Sequence, residues 1–90
     1  MTISYATDIR PLFRSRDISC MRGYEVLLDD YGYMSDPTGN ETYPDHAHAR
    51  NVFCYLSPNA CRPRMPFGGP YWSDVQLALY QQWMDDGFLP

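Results

Sequence analysis

The sequence predicts an all-α domain of three to four short helices joined by long loops. Three stretches carry that prediction: residues 65–88 (MPFGGPYWSDVQLALYQQWMDDGF), residues 46–56 (HAHARNVFCYL) and residues 8–13 (DIRPLF). The first holds a loop, a helix start, a helix and a helix stop, each with its own chemical signature. The other two put apolar residues at helical spacing behind residues that suit a helix start.

Within 65–88, Met65-Pro66 and Gly68-Gly69-Pro70 cannot continue a helix, because proline lacks the amide donor and glycine is too permissive. Ser73 is the predicted N-cap. Gln76 completes a capping box, and Asp74 faces the positive end of the helix dipole. Leu77, Tyr80, Trp83 and Met84 form one apolar stripe. Gly87 supplies the stop, and Pro90 forbids re-entry.

Upstream, Thr7 or Asp8 caps a brief first helix, with Pro11 near its first turn and Ile9, Leu12 and Phe13 facing inward. Residues 14–23 are polar, Arg-rich and broken by Gly23, which reads as a loop around Cys20. Residues 24–33 (YEVLLDDYGY) suit a turn of helix or an extended piece with Val26, Leu27, Leu28 and Tyr31 buried. Residues 36–43 (DPTGNETY) are dense in turn formers and form the clearest surface loop. A middle helix then starts at Thr42 or Tyr43, with Pro44 and Asp45 in its first turn. Ala49, Val52, Phe53 and Leu56 share its inner face, Arg50 and Cys54 lie toward the other side, and Ser57-Pro58-Asn59 ends it. No repeat, low-complexity tract or heptad interrupts this single domain over residues 1–90.

The chain's 90 residues support only a small core, since a domain of that size buries little more than ~60% of its unfolded surface. It leans on large side chains: eight Tyr, four Phe and two Trp make up 16% of the chain. A net charge of −4 argues against a nucleic-acid partner, which calls for a basic face. The local exception is Arg10, Arg14, Arg16 and Arg22, in a chain whose seven cationic residues are all Arg. No transmembrane run is present, and the N-terminal residues lack the basic start and apolar core of a signal peptide. The expected location is therefore cytoplasmic, with no membrane partner and with Cys20, Cys54 and Cys61 as reduced thiols. A Cys54–Cys61 bridge requires export through a leader that the sequence does not display.

A DIRPLF helix, a segment bearing Cys20, a middle helix, the MPFGGP loop and the LALYQQWMDDG helix occur here in the order of the small bacterial c-type cytochrome domain, which this chain resembles over roughly three-quarters of its length. In that family a segment like SYATDIRPLF leads into the haem-attachment motif Cys-x-x-Cys-His. The loop carrying the axial methionine reads like MPFGGP, and the last helix ends like WMDDG. The resemblance implies a cytochrome c-like fold with Met65 at the axial position. It also exposes a departure: with Cys20 as the second motif cysteine, Asp17 stands in the first cysteine's place and Met21 in that of the histidine. A carboxylate cannot form the thioether, and the proximal imidazole is missing. The expectation is thus a domain without covalent haem, whose vacated interior is filled by Tyr24, Tyr31, Tyr33, Phe53, Phe67, Tyr71 and Trp72. The alternative is an electron carrier that holds haem or another metal unconventionally through Cys20 and Met65.

His46 and His48, the two histidines, are spaced i, i+2 at a helix start and point in different directions, so they make a weak copper or zinc site. Cys20, Cys54, Cys61 and Met65 could add soft ligands. Catalysis has less support. Asp29-Asp30 and Asp85-Asp86 are ordinary solvated acids at turns or helix ends, and Gly68-Gly69 is flanked by prolines that remove phosphate-binding donors. Cys20, beside Arg22 and near Arg16, has the electropositive setting of reactive thiols, but a cysteine left over from a lost attachment motif explains it more simply. The expected function is a non-catalytic accessory protein that binds a partner such as a redox or biosynthetic enzyme, or a second copy of itself. Its contact surfaces would be the Arg10 to Arg22 patch and the 36–43 loop.

Overall fold

The computed structural model describes residues 3–58, 60–66 and 69–90. Among these the fold is all-α, with no strand. A π-helical turn (Tyr5–Ile9) runs into a 3-10 turn (Arg10–Leu12), followed by α1 (Ser15–Arg22), the short α2 (Tyr31–Met34), α3 (Ala47–Leu56) and α4 (Asp74–Asp85).

The first helical segment begins earlier than expected. Ser4, not Thr7 or Asp8, is its N-cap: Ser4 Oγ accepts the Thr7 amide, and the Asp8 carboxylate accepts the Ser4 amide at 2.8 Å. Asp8 therefore serves as the acid of the first turn, and the apolar residues emerge one turn later, with Ile9 and Phe13 buried.

Residues 14–23 contain a helix where a loop was expected. Asp17 accepts the Arg14 backbone amide at 3.1 Å, which anchors the start of α1, and Ile18 and Met21 bury themselves one turn apart. The Arg-rich character belongs to the outer face of this helix, so composition concealed a two-residue apolar stripe.

The middle helix also shifts. α3 begins at Ala47, after His46 has taken a left-handed backbone conformation (φ 43°). The amides of His46 and Ala47 donate to the carbonyls of Pro37 and Thr38, so the 36–43 loop holds the chain out of helix through Pro44 and Asp45. Its inner face is as expected: Ala49, Val52 and Leu56 are buried and Phe53 is partly buried. Ser57 turns the chain to extended backbone; Asn59 lies outside the described residues.

α4 matches its prediction closely. Ser73 and Gln76 form the reciprocal capping box at 3.2 and 2.8 Å, and Leu77, Tyr80, Trp83 and Met84 are buried. Tyr80 and Trp83 are completely buried, and the Tyr80 hydroxyl donates to the Ala49 carbonyl of α3 at 2.8 Å. Around them an aromatic network links Tyr5, Trp83, Tyr80, Trp72 and Phe13 through ring centroids 5.1–6.0 Å apart. This network fills the interior, but with partly different residues from those expected. Trp72 is buried and Tyr31, Tyr33 and Phe53 are partly so, whereas Tyr24 and Tyr71 are exposed; Phe67 lies outside the described residues.

Candidate functional site

The two cofactor candidates lie close together. Cys20, on the outer face of α1, and Met65, buried after the α3 turn, line one small recess of about 60 Å³ with Arg16, Asp17, Met21 and Pro66. Met65 is held there by its own amide, which donates to the Tyr55 carbonyl at 2.8 Å. Met21 and Met65 also form a wall of a larger recess of about 280 Å³, lined by Tyr24, Val26, Asn51, Val52, Tyr55 and Pro63. Among the described residues no charged side chain lines this second recess, whose lining is apolar apart from one amide and two phenols.

Asp17 defines the electrostatics of the smaller recess. Its two carboxylate oxygens accept from Arg14 Nε and Nη2, each at 3.0 Å. Burial pushes the carboxyl's pKa up, but the Arg14 hydrogen bonds and the charges of Arg14 and Arg16 outweigh it and hold it below the ordinary range. The carboxylate is thus ionised and already committed. Of the Arg10 to Arg22 patch, Arg14 pairs with Asp17 and Arg22 with Asp29; Arg10 and Arg16 have no ion-pair partner among the described residues.

These residues do not fit covalent haem. If Cys20 stands in the place of the second attachment cysteine, as the resemblance implies, the first cysteine's place is taken by a buried carboxylate bound to arginine and the histidine's by the buried thioether of Met21. The space beside Met21 and Met65, about 280 Å³, lies just below the roughly 300–1,000 Å³ range of ligand pockets.

The two histidines are not brought together. His46 stacks on Phe88 with ring centroids 3.7 Å apart, and its Nδ1 lies 3.5 Å from Asp45 Oδ1 without a hydrogen bond of good geometry. His48 stacks on Tyr33 at 3.9 Å and its Nδ1 lies 2.9 Å from the Tyr33 carbonyl. Among the described residues no group of three or more His, Cys, Asp or Glu side chains is placed to hold a metal.

Cys54 and Cys61 are joined by a disulfide, against the expectation of three reduced thiols, and Cys20 is the free cysteine. The bridge closes the turn at the end of α3, where the Cys61 amide also donates to the Cys54 carbonyl at 3.2 Å. The chain after α3 brings Cys61 back to Cys54, seven residues earlier, at a Cα–Cα distance of 5.2 Å, within the reach of a bridge. Sequence reasoning also missed Met21 as a partner of Met65. The signal for it was the Ile18, Met21 spacing, legible once 15–22 is read as helix.

No family model matches the chain, and neither does any curated protein or solved structure.

Proposed function

We propose that this chain is a cytochrome c-like domain without haem that serves as an accessory protein for a partner, such as a redox or biosynthetic enzyme. The observation that carries the reading is Asp17. The residue in the place of the first attachment cysteine is buried, ionised and locked to Arg14, where it organises α1 in place of a cofactor. The packed aromatic interior supports the same reading, because it removes the need for a bound group to complete the core. The partner would meet the outer face of α1 at Arg16, the preceding 3-10 turn at Arg10, both with charge to offer, and the exposed 36–43 loop.

Among the described residues, no helix is long and apolar enough to cross a membrane. The Cys54–Cys61 bridge supports an oxidising compartment, so we replace the cytoplasmic location suggested by the N-terminal sequence with an exported one. Protein produced with an export leader in a host competent for c-type maturation should show no Soret absorbance and should melt cooperatively. Stoichiometric haem in that protein would overturn the reading.

One observation favours a second reading, an electron carrier that binds a metal: Cys20 and Met65 line the same recess. Reversible one-electron titration of metal-loaded protein tests it.

A further inference from the structure

We infer that the recess between α1 and residues 65–66 binds a monovalent soft metal ion, copper(I), through the sulfur atoms of Cys20, Met21 and Met65. This rests on the second reading above, in which Cys20 and Met65 hold a metal, and it adds a third donor and the charge of the ion. Three sulfur side chains from two separate segments line a single space of about 60 Å³. That volume admits an ion or a water molecule and excludes an organic ligand.

The donor set selects the ion. Thiolate and thioether sulfurs favour copper(I), while hard cations need oxygen donors. The one carboxylate in the lining, Asp17, is already bound through both oxygens to Arg14. Zinc favours histidine, cysteine and carboxylate, and no group of three such side chains is available among the described residues.

Charge makes the same choice. A copper(I) thiolate is neutral, so the ion can sit against buried Met21 and Met65 with little desolvation penalty. A divalent ion on the same donors would leave a net positive charge beside Arg16, which also lines the recess. Cys20 is exposed, so the ion has a path from solvent to the buried thioethers. With Cys54 and Cys61 held in their disulfide, Cys20 does not compete with them for copper.

The test is an anaerobic titration of the disulfide-intact protein with copper(I) supplied as its coloured bicinchoninate complex, with ascorbate rather than a thiol as reductant. The wild type is expected to withdraw one equivalent of copper from the chelator. Cys20→Ser, at an exposed position, should abolish withdrawal. Met21→Leu and Met65→Leu, near-isosteric changes, should each weaken it at least about tenfold, since even outer-shell partners are worth roughly 10- to 100-fold in metal affinity. Thermal melts of the apo variants would show that the fold is kept. Failure of the wild type to withdraw copper would overturn the inference, as would withdrawal that depends on Cys20 and is indifferent to both Met→Leu changes. Zinc(II) bound in preference to copper(I) would overturn it and, because zinc has no redox chemistry, would remove the electron-carrier reading as well. Copper(I) held by all three sulfurs but inert to redox cycling would uphold it and remove the carrier reading.

Discussion

Asp17 takes both the side chain and the backbone amide of Arg14, at 3.0 and 3.1 Å, so one carboxylate caps α1 and neutralises its first cation. Arg14 is 41% exposed at its side chain, so solvent screening keeps its ion-pair share small. Satisfying the amide matters more: loss of a capping side chain typically costs about 1 kcal/mol.

Asp17→Ala should therefore lower the urea midpoint at pH 7 by an amount equivalent to about 1 kcal/mol. The carboxyl's folded pKa is depressed, so its contribution is complete above the unfolded value of about 3.9 and is lost as pH falls through the lower folded value. The gap between wild type and variant should thus narrow from pH 5 to pH 2. A gap of constant size would refute the electrostatic account.

Tyr80 tests the contact between α3 and α4. Its phenol is fully buried and donates to Ala49, so Tyr80→Phe removes a buried hydrogen bond while preserving the ring. The expected loss is about 1 kcal/mol, which lowers Tm by roughly 4–8 °C in a domain of this size. Burial raises the Tyr80 pKa well above its usual value, and it raises that of Tyr5 as well. Stability from these neutral phenols is complete below the ordinary tyrosine range and is lost as pH rises toward their folded values. In an alkaline titration followed at 295 nm, these two phenols should ionise only with unfolding.

Met65 is buried and supports both recesses. Met65→Ala should cost about 2–5 kcal/mol through the lost side chain and the cavity left behind. Under the accessory reading, the visible spectrum of protein purified from a maturation-competent host should be the same before and after the change. Loss of a chromophore in the variant would favour the carrier.

The sequence made α4 legible because its signals agree: Ser73 with Gln76 at one end, Gly87 at the other and four large apolar residues between them. α1 was hidden because its cap is an acid bound to an arginine, which composition reads as solvated charge, and because its buried stripe is only Ile18 and Met21. The α3 boundary was misplaced for a tertiary reason. Proline and acid suited a first turn at residues 44–45, but carbonyls of Pro37 and Thr38 capture the amides that would have continued it. Cys20 and Met65 were paired by resemblance alone, and their shared recess could not be read without the path of residues 57–66. The Cys54–Cys61 bridge was not legible because compartment was inferred from the N-terminus, and the approach of the two cysteines depends on the path of the chain after α3.

The disulfide closes a loop from Cys54 to Cys61. A chain-entropy estimate for so short a loop gives about 2.5 kcal/mol. Cys54→Ser with Cys61→Ser should lower the denaturant midpoint accordingly, and reductant should lower that of the wild type but leave the double variant unmoved. The same change should loosen the Tyr55–Met65 backbone bond just beyond the bridge, read as faster amide exchange at Met65.

Gly87 ends α4 in a Schellman arrangement: the Phe88 amide donates to the Trp83 carbonyl at 3.0 Å, and the Gly87 amide to that of Met84 at 3.2 Å. The Phe88 ring then packs edge-on to Trp83 with centroids 5.1 Å apart. This turn aims residues 88–90 back across the fold, where Leu89 accepts the Tyr5 amide and the Trp83 indole N–H, and Phe88 accepts the Tyr31 hydroxyl. The two ends of the chain are thus joined through a turn in which Gly87 (φ 102°) and Phe88 (φ 57°) both take positive φ. A methyl group at Gly87 would meet no atom within 4 Å, so the penalty of Gly87→Ala is conformational rather than steric. It should be about 1 kcal/mol or slightly more, and Gly87→Asn should recover part of it because asparagine tolerates positive φ. Amide exchange at Tyr5 should quicken in Gly87→Ala. If Tm fell equally in the alanine and asparagine variants, with Tyr5 unaffected, the glycine would not be what joins the termini.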